Sequence, residues 1–436
     1  MDDVIYVHLR HSMGGGIHRM VKALYGTKQA GLMWYRRIKA ALEKLELKQT
    51  ANEPCLFFKL DERGGLEIGI VVVVDDILGV ARKNVWDQFI ADLTEAGIQL
   101  DAESVGPAQE FNGIRIRKIN DHKYELDQEA YLRELASSYS AKWGWSPPSK
   151  RFSTPLGQAL DNGLMEPGIL GDSSRGSAMD RERSGDQRAW REHKQRYLSL
   201  LGSLMWLACA TWPSIAYAVG AAGQRSQEPM SRHLAALERV LAFCTQNAEH
   251  RLVFDCSDES RKGRCNLVGF SDSDHAADKE TRRSRSGIWI GLNECPLYWS
   301  SKRQTVVTKS SAAAETVAFG AAMERLRGVS EILNELGFDV KYVPLFGDNV
   351  QVLRRTVNDM PNDALGAKQL RSPPSRCRRQ RASNTKRSGR SMSPRSKTWQ
   401  TPLRKVIFQG RTEIPGGRSS RSRPAGRRIR PGGSTC

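Results

Sequence analysis

Paired cysteines are absent from this sequence. Its eight cysteines are scattered singly, without a C-x-x-C pair and without a histidine at zinc-site spacing. This distribution argues against a disulfide framework and against a metal cluster. The N-terminus also lacks the basic region and apolar core of a secretory signal, because Asp2 and Asp3 follow the first methionine. These absences predict an intracellular protein, in the cytoplasm or the nucleus.

Long apolar runs are scarce as well. The exception is the stretch from Leu198 to Gly223, which contains no charge and is long enough to cross a bilayer. Ser199, Ser203 and Pro213 interrupt it, which favours the buried helices of a soluble protein over a membrane span. We therefore expect no membrane partner, and the span is the less favoured alternative.

Acidic residues are almost missing from one end of the chain. From Arg371 onward, 19 lysines and arginines face a single acid, Glu413, so this segment carries +18 of the net charge of +19. Its richness in Arg, Ser, Pro and Gly predicts a disordered basic tail over residues 367–436. The preceding part is nearly neutral, so the high isoelectric point says little about its function, although local fields could still attract phosphates.

The elements of the first half are predicted from apolar spacing. With 436 residues, 39% of them hydrophobic, the chain can form two or three domains. Residues 20–45 predict a turn and an amphipathic helix, and Cys55–Lys59 with Ile68–Val74 predict a hairpin of buried strands. The polar segment from Asn162 to Arg191 predicts a linker.

The second half predicts helices and then an α/β domain. Helices are expected over Tyr197–Ala210 and His233–Asn247, followed by strands at residues 267–270, 288–290 and 297–299. A helix with an apolar face from Met323 to Leu336 ends at Gly337, and a strand over residues 342–346 leads to Asp348. This order predicts a mixed sheet with acids at the ends of its elements.

Two groups of acids stand out. Asp75 and Asp76 follow a run of four valines, where ionised carboxylates need a cation such as Mg²⁺, or form an ordinary polar turn. Asp272 follows the first strand of the second domain, Glu315 is expected in the first turn of the next helix, and Asp348 follows the last strand. Acids at the same ends of neighbouring elements can converge on a pair of metal ions.

Several motifs lie in order along the first 160 residues. They are Ala23–Gln29, Trp34-Tyr35, Pro54–Phe57, Val73–Asp76, Phe111–Ile114 and Ser153–Leu156. In order and spacing they resemble the reverse transcriptase of copia-type retrotransposons. The resemblance implies that Asp75 and Asp76 bind catalytic Mg²⁺, with Mn²⁺ as an alternative, and that Tyr25, Lys28 and Gln29 lie near the template or the incoming nucleotide. It also implies an RNA template, a DNA primer and dNTPs as partners.

Two departures from that family bear on polymerisation. Val73 stands where the family usually has tyrosine, and the family's other metal-binding aspartate lies upstream of the segment where this chain begins. Asp2 and Asp3 precede Val4–Val7 and have the wrong context to replace it. Two-metal phosphoryl transfer needs carboxylates from separate strands, so we expect impaired polymerisation.

A second set of motifs follows. Tyr197–Trp206, Thr211–Pro213 and Tyr217–Val219 resemble the connection helices of the same polyprotein, and Gly269–Gly287, Trp299–Gln304, Ser310–Glu315 and Asp348-Asn349 resemble its RNase H domain. The resemblance implies that Asp272, Glu315 and Asp348 are metal ligands for hydrolysis of the RNA strand in an RNA–DNA hybrid. Asp274 is a weaker candidate, and His275, in place of the family's tryptophan, is given no role.

The domain prediction combines these readings into an α/β (α+β) chain. A partial reverse-transcriptase palm and thumb is expected over residues 1–160, a linker over 161–195 and a helical connection over 196–260. An RNase H-like mixed sheet with helices, truncated at its C-terminal end, is expected over residues 261–366, before the basic tail.

The tail has a sharper interpretation. One set of codons for Lys397–Lys405, read two bases later, encodes Asp-Met-Ala-Asp-Pro-Leu-Thr-Lys, which resembles the RNase H ending of that family with its last metal-binding aspartate. We hypothesise a frameshift soon after Leu370, which predicts impaired RNase H activity as well. The alternative is a non-catalytic protein that binds nucleic acid with its basic tail, and a host-adopted structural role is a third reading.

Overall fold

The computed structural model describes residues 6–8, 10–19, 27, 29–98, 100, 105–157, 187–255, 265–278, 280–293, 295–340 and 342–349, and the backbone of residues 404–409. Tyr25 and Lys28, the predicted linker up to residue 186 and the rest of the predicted tail lie outside these ranges.

The first unit is a four-stranded antiparallel sheet packed against two helices. After the short pair β1 (Tyr6–His8) and β2 (Ile17–Arg19), its elements are α1 (Ala30–Lys44), β3 (Lys48–Gln49), β4 (Leu56–Leu60), β5 (Leu66–Val73), β6 (Asp76–Ala81) and α2 (Lys83–Glu95). The strands lie in the order β3-β4-β5-β6. Ile38 and Leu42 of α1 and Leu93 of α2 pack with Phe57 and Ile70 in its core.

The predicted hairpin is confirmed as β4 and β5. Gly64 adopts a φ of +77° in the connecting turn, a conformation that a residue with a Cβ rarely takes. The Asp61 carboxylate accepts hydrogen bonds from the backbone N–H groups of Arg63 and Gly65, at 2.9 and 2.8 Å. The turn thus satisfies its own polar groups and fixes the register that carries β5 to the acids at its end.

A second antiparallel sheet joins distant parts of the chain. Its strands β7 (Glu110–Phe111), β8 (Ile114–Asn120) and β9 (Lys123–Asp127) precede α3 (Glu129–Trp143), whereas β10 (Leu252–Asp255) comes more than 120 residues after β9. The predicted helical connection over residues 196–260 therefore contains a strand, Leu252–Asp255, and this correction reflects a pairing partner that local spacing could not reveal. Arg251, beside β10, lies 2.6 Å from the Glu129 carboxylate and ties that strand to α3.

Three helices form the central layer: α4 (Gln187–Ala210), α5 (Ala216–Gly223) and α6 (Ser231–Gln246). Helix α4 begins earlier than predicted, so residues 187–195 are helical rather than linker; this stretch contains no glycine or proline to stop the helix. Tyr197, Leu200 and Leu204 of α4 are fully buried with Leu237 of α6. The uncharged stretch divides at Pro213, and none of the described helices is both long and apolar enough to cross a membrane.

The last unit is a mixed sheet with a long helix on one face. It contains β11 (Leu267–Ser273), β12 (Arg285–Leu292), β13 (Cys295–Arg303), α7 (Ser311–Glu335), β14 (Tyr342–Gly347) and β15 (Arg404–Gln409), in the strand order β13-β12-β11-β14-β15. The predicted strands and helix are confirmed, and β14 runs parallel to β11. Strand β15 lies inside the tail predicted to be disordered, and this correction arises because its residues pair with β14, a distant partner that composition does not reveal. Gly337 ends α7 with a φ of +87°, as predicted.

The C-terminal end of α7 contacts the first unit. The backbone N–H of Ala51 donates to the Glu335 carboxylate at 3.2 Å, and the Asn52 side-chain amide donates to Glu331 at 2.7 Å. Gly337 packs so closely on the β4–β5 turn that a Cβ there would lie 2.5 Å from the carbonyl oxygen of Gly64. A single helix therefore reaches from the first sheet to the acids near its N-terminal end.

Candidate metal centre

Three carboxylates from three different elements converge at one edge of the mixed sheet. Asp272 lies near the end of β11, Glu315 lies on α7, and Asp348 follows β14 directly. Carboxylate oxygens of these three residues all lie within 4.8 Å of one another. Because β11 and β14 are parallel neighbours, their carboxyl ends meet at this edge, as the sequence predicted.

Glu315 reaches the cluster from the second turn of α7. The prediction placed it in the first turn, but the helix begins at Ser311, and the Ser310 hydroxyl caps it by accepting a hydrogen bond from the N–H of Ala313 at 3.2 Å. The position of Glu315 inside the helix therefore gives it no direct contact with the unpaired N–H groups of the first turn. Its charge is instead met by the backbone N–H of Ser273, 3.2 Å from Oε1.

The electrostatics of the cluster favour binding of a cation. Burial, together with the neighbouring Asp272 and Asp348, raises the pKa of Glu315 to about 7. Burial and Asp348 also raise the pKa of Asp272, against hydrogen bonds from the Ser273 backbone and from Glu315. Oxygen ligands with uncompensated negative charge are those that Mg²⁺ and Mn²⁺ prefer, so the donor set fits either ion.

Asp274 and His275 take no part in this cluster. One Asp274 carboxylate oxygen accepts a hydrogen bond from the backbone N–H of Arg285 at 2.7 Å. The backbone N–H of Asp274 in turn donates to the carbonyl oxygen of Arg285 at 3.1 Å. Asp274 thus holds the loop between β11 and β12, and burial raises its pKa. His275 is exposed.

The first pair of acids lies at an exposed hairpin turn. Val73 at the end of β5 pairs with Asp76 at the start of β6, so Val74 and Asp75 form the turn, and both aspartates are exposed. Val74 has a φ of +55°, which is strained for a β-branched residue and costs on the order of 1–3 kcal/mol. The Trp34 indole N–H donates to the Val74 carbonyl and holds the turn against α1.

The first site is less complete than the second. Within the described part of the chain, the group formed by Asp272, Glu315 and Asp348 is the only set of three or more Asp, Glu, His or Cys side chains close enough to share an ion. Asp75 and Asp76 belong to no such set. Gln29, predicted near the nucleotide, is exposed and precedes α1 directly.

The motif residues Trp34, Tyr35 and Pro54 have structural contacts that sequence reasoning did not assign. The Tyr35 hydroxyl donates to the Pro54 carbonyl at 2.9 Å, while Trp34 contacts the hairpin turn. All three residues lie in the motifs that resemble the reverse transcriptase family, and this was the only sign in the sequence of such contacts. Helix α1 is thereby fastened to both ends of the segment that presents Asp75 and Asp76.

Comparison with known proteins identifies the class of the N-terminal part first. The model of the family described as "Reverse transcriptase (RNA-dependent DNA polymerase)" matches residues 10–141, and these residues belong to that family. Over most of its length the chain is related to the Pol polyproteins of copia-type transposons.

The individual relatives differ in extent. The chain is 28% identical over 344 residues to "Retrovirus-related Pol polyprotein from transposon TNT 1-94" of Nicotiana tabacum, covering 78% of this chain and 24% of that protein. It is 27% identical over 335 residues to the corresponding protein from transposon RE1 of Arabidopsis thaliana, covering 76% of this chain and 20% of that protein. A shorter match, 39% identical over 128 residues, is "Secreted RxLR effector protein 161" of Plasmopara viticola, covering 29% of this chain and 87% of that protein. The chain thus spans about a quarter or less of the two Pol polyproteins.

Proposed function

We propose that this chain is a retrotransposon Pol fragment whose C-terminal unit is an RNase H that cleaves the RNA strand of an RNA–DNA hybrid. The observation that carries the proposal is the convergence of the Asp272, Glu315 and Asp348 oxygens within 4.8 Å. The relationship to Pol polyproteins supports it, because those matches cover 78% and 76% of this chain and so extend well beyond residues 10–141, which the reverse-transcriptase family model matches. The strand order β13-β12-β11-β14, in which β11 and β14 are parallel, provides the edge at which the acids meet.

The three carboxylates would hold Mg²⁺, or Mn²⁺ in its place. When bound, such ions activate water and stabilise the departing oxygen of a phosphodiester. The protein supplies the geometry: parallel strands β11 and β14 fix two of the acids, and α7 brings the third. The N–H of Ser273 donates to Asp272 at 2.8 Å and to Glu315 at 3.2 Å, which limits the rotation of both carboxylates. Three ligands from the chain leave coordination positions open for water and a phosphate oxygen.

We propose that residues 10–141 descend from a polymerase that extends a DNA primer on an RNA template with dNTPs. Asp75 and Asp76 would contribute metal ligands at the tip of the β5–β6 hairpin, with Tyr25, Lys28 and Gln29 near the nucleic acid or nucleotide. Because two adjacent acids from one turn form only one side of a two-metal site, we expect polymerisation by this chain to be weak compared with its hybrid cleavage.

Hydrolysis of a labelled RNA–DNA hybrid tests the proposed function. The full chain should release short RNA products in Mg²⁺ or Mn²⁺ but not in EDTA. We expect slow release, because the hypothesised frameshift removes the last metal-binding aspartate of the family. Asp272→Asn removes one charged ligand of the metal. Loss of a residue that only hydrogen-bonds to a metal ligand lowers activity by up to about 100-fold, so we expect loss of a ligand itself to lower the cleavage rate by more than that.

A matched variant controls for a contaminating nuclease. Asp121→Asn makes the same chemical change at an exposed turn, where the carboxylate forms an ion pair with Lys118, and it should cleave like the wild-type chain. Equal cleavage by the Asp272→Asn and wild-type proteins would reject the proposed function. Hybrid binding without cleavage by either protein would favour the non-catalytic alternative based on the basic tail.

A further inference from the structure

A buried glutamine lies between the sheet and the start of the helix that carries Glu315. Gln304 follows β13 directly and is only 5% exposed. Its side-chain amide nitrogen donates to the carbonyl oxygen of Ala314 at 2.9 Å and to the hydroxyl of Ser286 at 3.0 Å. Its backbone N–H donates to the carbonyl of Ser284 at 2.8 Å. A single residue therefore links the end of β13, the start of β12 and the first turns of α7.

Both partners of that amide lie next to the carboxylate cluster. Ala314 immediately precedes Glu315 in α7. Ser286 is paired across the sheet with Ser273, the residue whose backbone N–H donates to both Asp272 and Glu315. Gln304 thus connects the sheet, through Ser286, to helix α7, through Ala314, on the side where the acids meet.

Repulsion between the carboxylates gives such a bridge a force to resist. Carboxylate oxygens of Asp272, Glu315 and Asp348 lie within 4.8 Å of one another, so ionised acids at this edge repel one another when no cation lies between them. Repulsion between Glu315 and the two aspartates pushes the start of α7 away from the sheet. A buried amide with a short donor bond to a helix carbonyl resists that movement, because breaking it leaves polar groups without partners in the interior.

We propose that Gln304 is a positioning residue that holds the first turns of α7 against β12, so that Glu315 faces Asp272 and Asp348. This role rests on the proposed metal-dependent function of the cluster. Gln304 contacts no substrate or ion itself, and it acts through Ala314 and Ser286. The motif Trp299–Gln304, which the sequence analysis singled out without assigning a role, thereby gains one.

Thr308 offers a matched comparison for loss of a buried hydrogen bond. It is 8% exposed, and its hydroxyl lies 3.1 Å from that of Ser284, in the same polar cluster as Gln304. It precedes α7 and, among the described residues, forms no hydrogen bond with Ala314 or the acids. Thr308→Val therefore removes a buried polar contact near the site without releasing the helix, whereas Gln304→Met keeps much of the side-chain volume and releases it.

The test measures Mn²⁺ binding to the full chain by electron paramagnetic resonance of the free ion. Gln304→Met should weaken binding at the cluster by about 10-fold, the lower range for loss of an outer partner of a metal site. Thr308→Val should bind Mn²⁺ as the wild-type chain does. Gln304→Asn, which keeps an amide but is too short to span both partners, covers the case in which the methionine variant fails to fold, and it too should weaken binding.

Hydrogen–deuterium exchange without metal provides a second readout. In the Gln304 variants, peptides covering residues 311–318 should exchange faster than in the wild-type and Thr308→Val proteins. Wild-type Mn²⁺ affinity together with wild-type exchange in a folded Gln304 variant would overturn the positioning role. If the wild-type chain itself binds no Mn²⁺ at the cluster, the proposed function fails, and exchange then decides alone whether Gln304 holds the helix.

Discussion

Glu315 is an acid held where its protonated form is favoured. Its side chain is buried, and two further carboxylates lie within 4.8 Å of it. Loss of a proton there adds a negative charge to a buried position. Neither solvent nor, among the described residues, an ion pair with a basic side chain compensates this charge. The same feature that gives a cation a place to bind thus makes the metal-free fold sensitive to pH.

We expect the metal-free protein to lose stability as the pH rises through the range between the ordinary pKa of a glutamate, 4.5, and the raised pKa of Glu315, about 7. In this range the native state binds a proton that the unfolded state has released, so the contribution is present below 4.5 and is lost as the pH approaches 7. The loss is at most about 3 kcal/mol.

Urea unfolding in EDTA at several pH values between 4.5 and 7.5 measures this effect. Glu315→Gln, which stays neutral, should show a flatter profile and higher stability at pH 7. A profile for the variant that parallels the wild-type profile would show that Glu315 is not the titrating group. Added Mn²⁺ should raise the free energy of unfolding of the wild-type chain at pH 7, and it should raise that of the variant by less.

Residues at the ends of strands and helices could be located from the sequence, because the ends of such elements can be predicted from apolar spacing. Asp272 and Asp348 were predicted to meet Glu315 because each lies where a strand or helix starts or stops. Gln304 was not predicted as a positioning residue, since its contacts are with Ser286 and with the carbonyl of Ala314 on another element. A backbone carbonyl carries no signature in the sequence, so this role could be seen only in the structure.

Helix α7 carries a carboxylate of the candidate metal centre near its N-terminal end and contacts the first unit at its C-terminal end. It carries Glu315 near one end, and Gly337 follows its other end with a φ of +87° against the carbonyl of Gly64. Gly328 lies within the same helix, where an added Cβ would meet nothing within 4 Å. The two glycines therefore differ in what an alanine would do.

Gly337→Ala should lower the free energy of unfolding by more than about 1 kcal/mol, because alanine disfavours positive φ and its Cβ would collide with Gly64. Gly328→Ala should raise it by about 0.5–1 kcal/mol, because glycine is a poor helix former. Thermal or urea unfolding of both variants checks these opposite signs. Destabilisation of equal size by both substitutions would contradict this account of the end of α7.

Elements with strong local patterns were predictable, and those set by distant partners were not. The β4–β5 hairpin follows from two short apolar runs with glycines between them, and α7 follows from helical apolar spacing with a glycine at its end. The start of α4 at Gln187 was missed because its first turns are polar, and the predicted linker was extended over them. Strand β10 was missed because its four residues become a strand through pairing with β9.

On the scale of the whole molecule, the positive charge is concentrated at one end of the sequence. Residues 371–436 carry +18, whereas the part that precedes them carries +1. Electrostatic binding to phosphates depends on how many basic groups neutralise them, and each contact steepens the decrease of affinity with salt by about 0.9 on a logarithmic scale. We therefore propose that binding strength resides mainly in residues 371–436 and chemistry in residues 1–370.

Two truncations test this separation. Removal of residues 410–436 deletes seven arginines and Glu413 but keeps β15, and removal of residues 371–436 deletes all 19 basic residues of the tail. Fluorescence anisotropy with a labelled RNA–DNA hybrid should give a smaller salt slope for the first truncation and the smallest for the second. An unchanged slope in both proteins would place the binding surface within residues 1–370.

The pairing of β9 with β10 has a consequence for synthesis of the protein. Strand β9 is complete at Asp127, but its neighbour is not made until ribosomes reach Leu252, after all three central helices. During that interval the second sheet ends in an unpaired edge, where exposed N–H and C=O groups can recruit strands from other nascent chains. Products that stop before Leu252 keep this edge permanently, so premature termination in that interval should yield aggregating polypeptides even where every earlier strand and helix is intact.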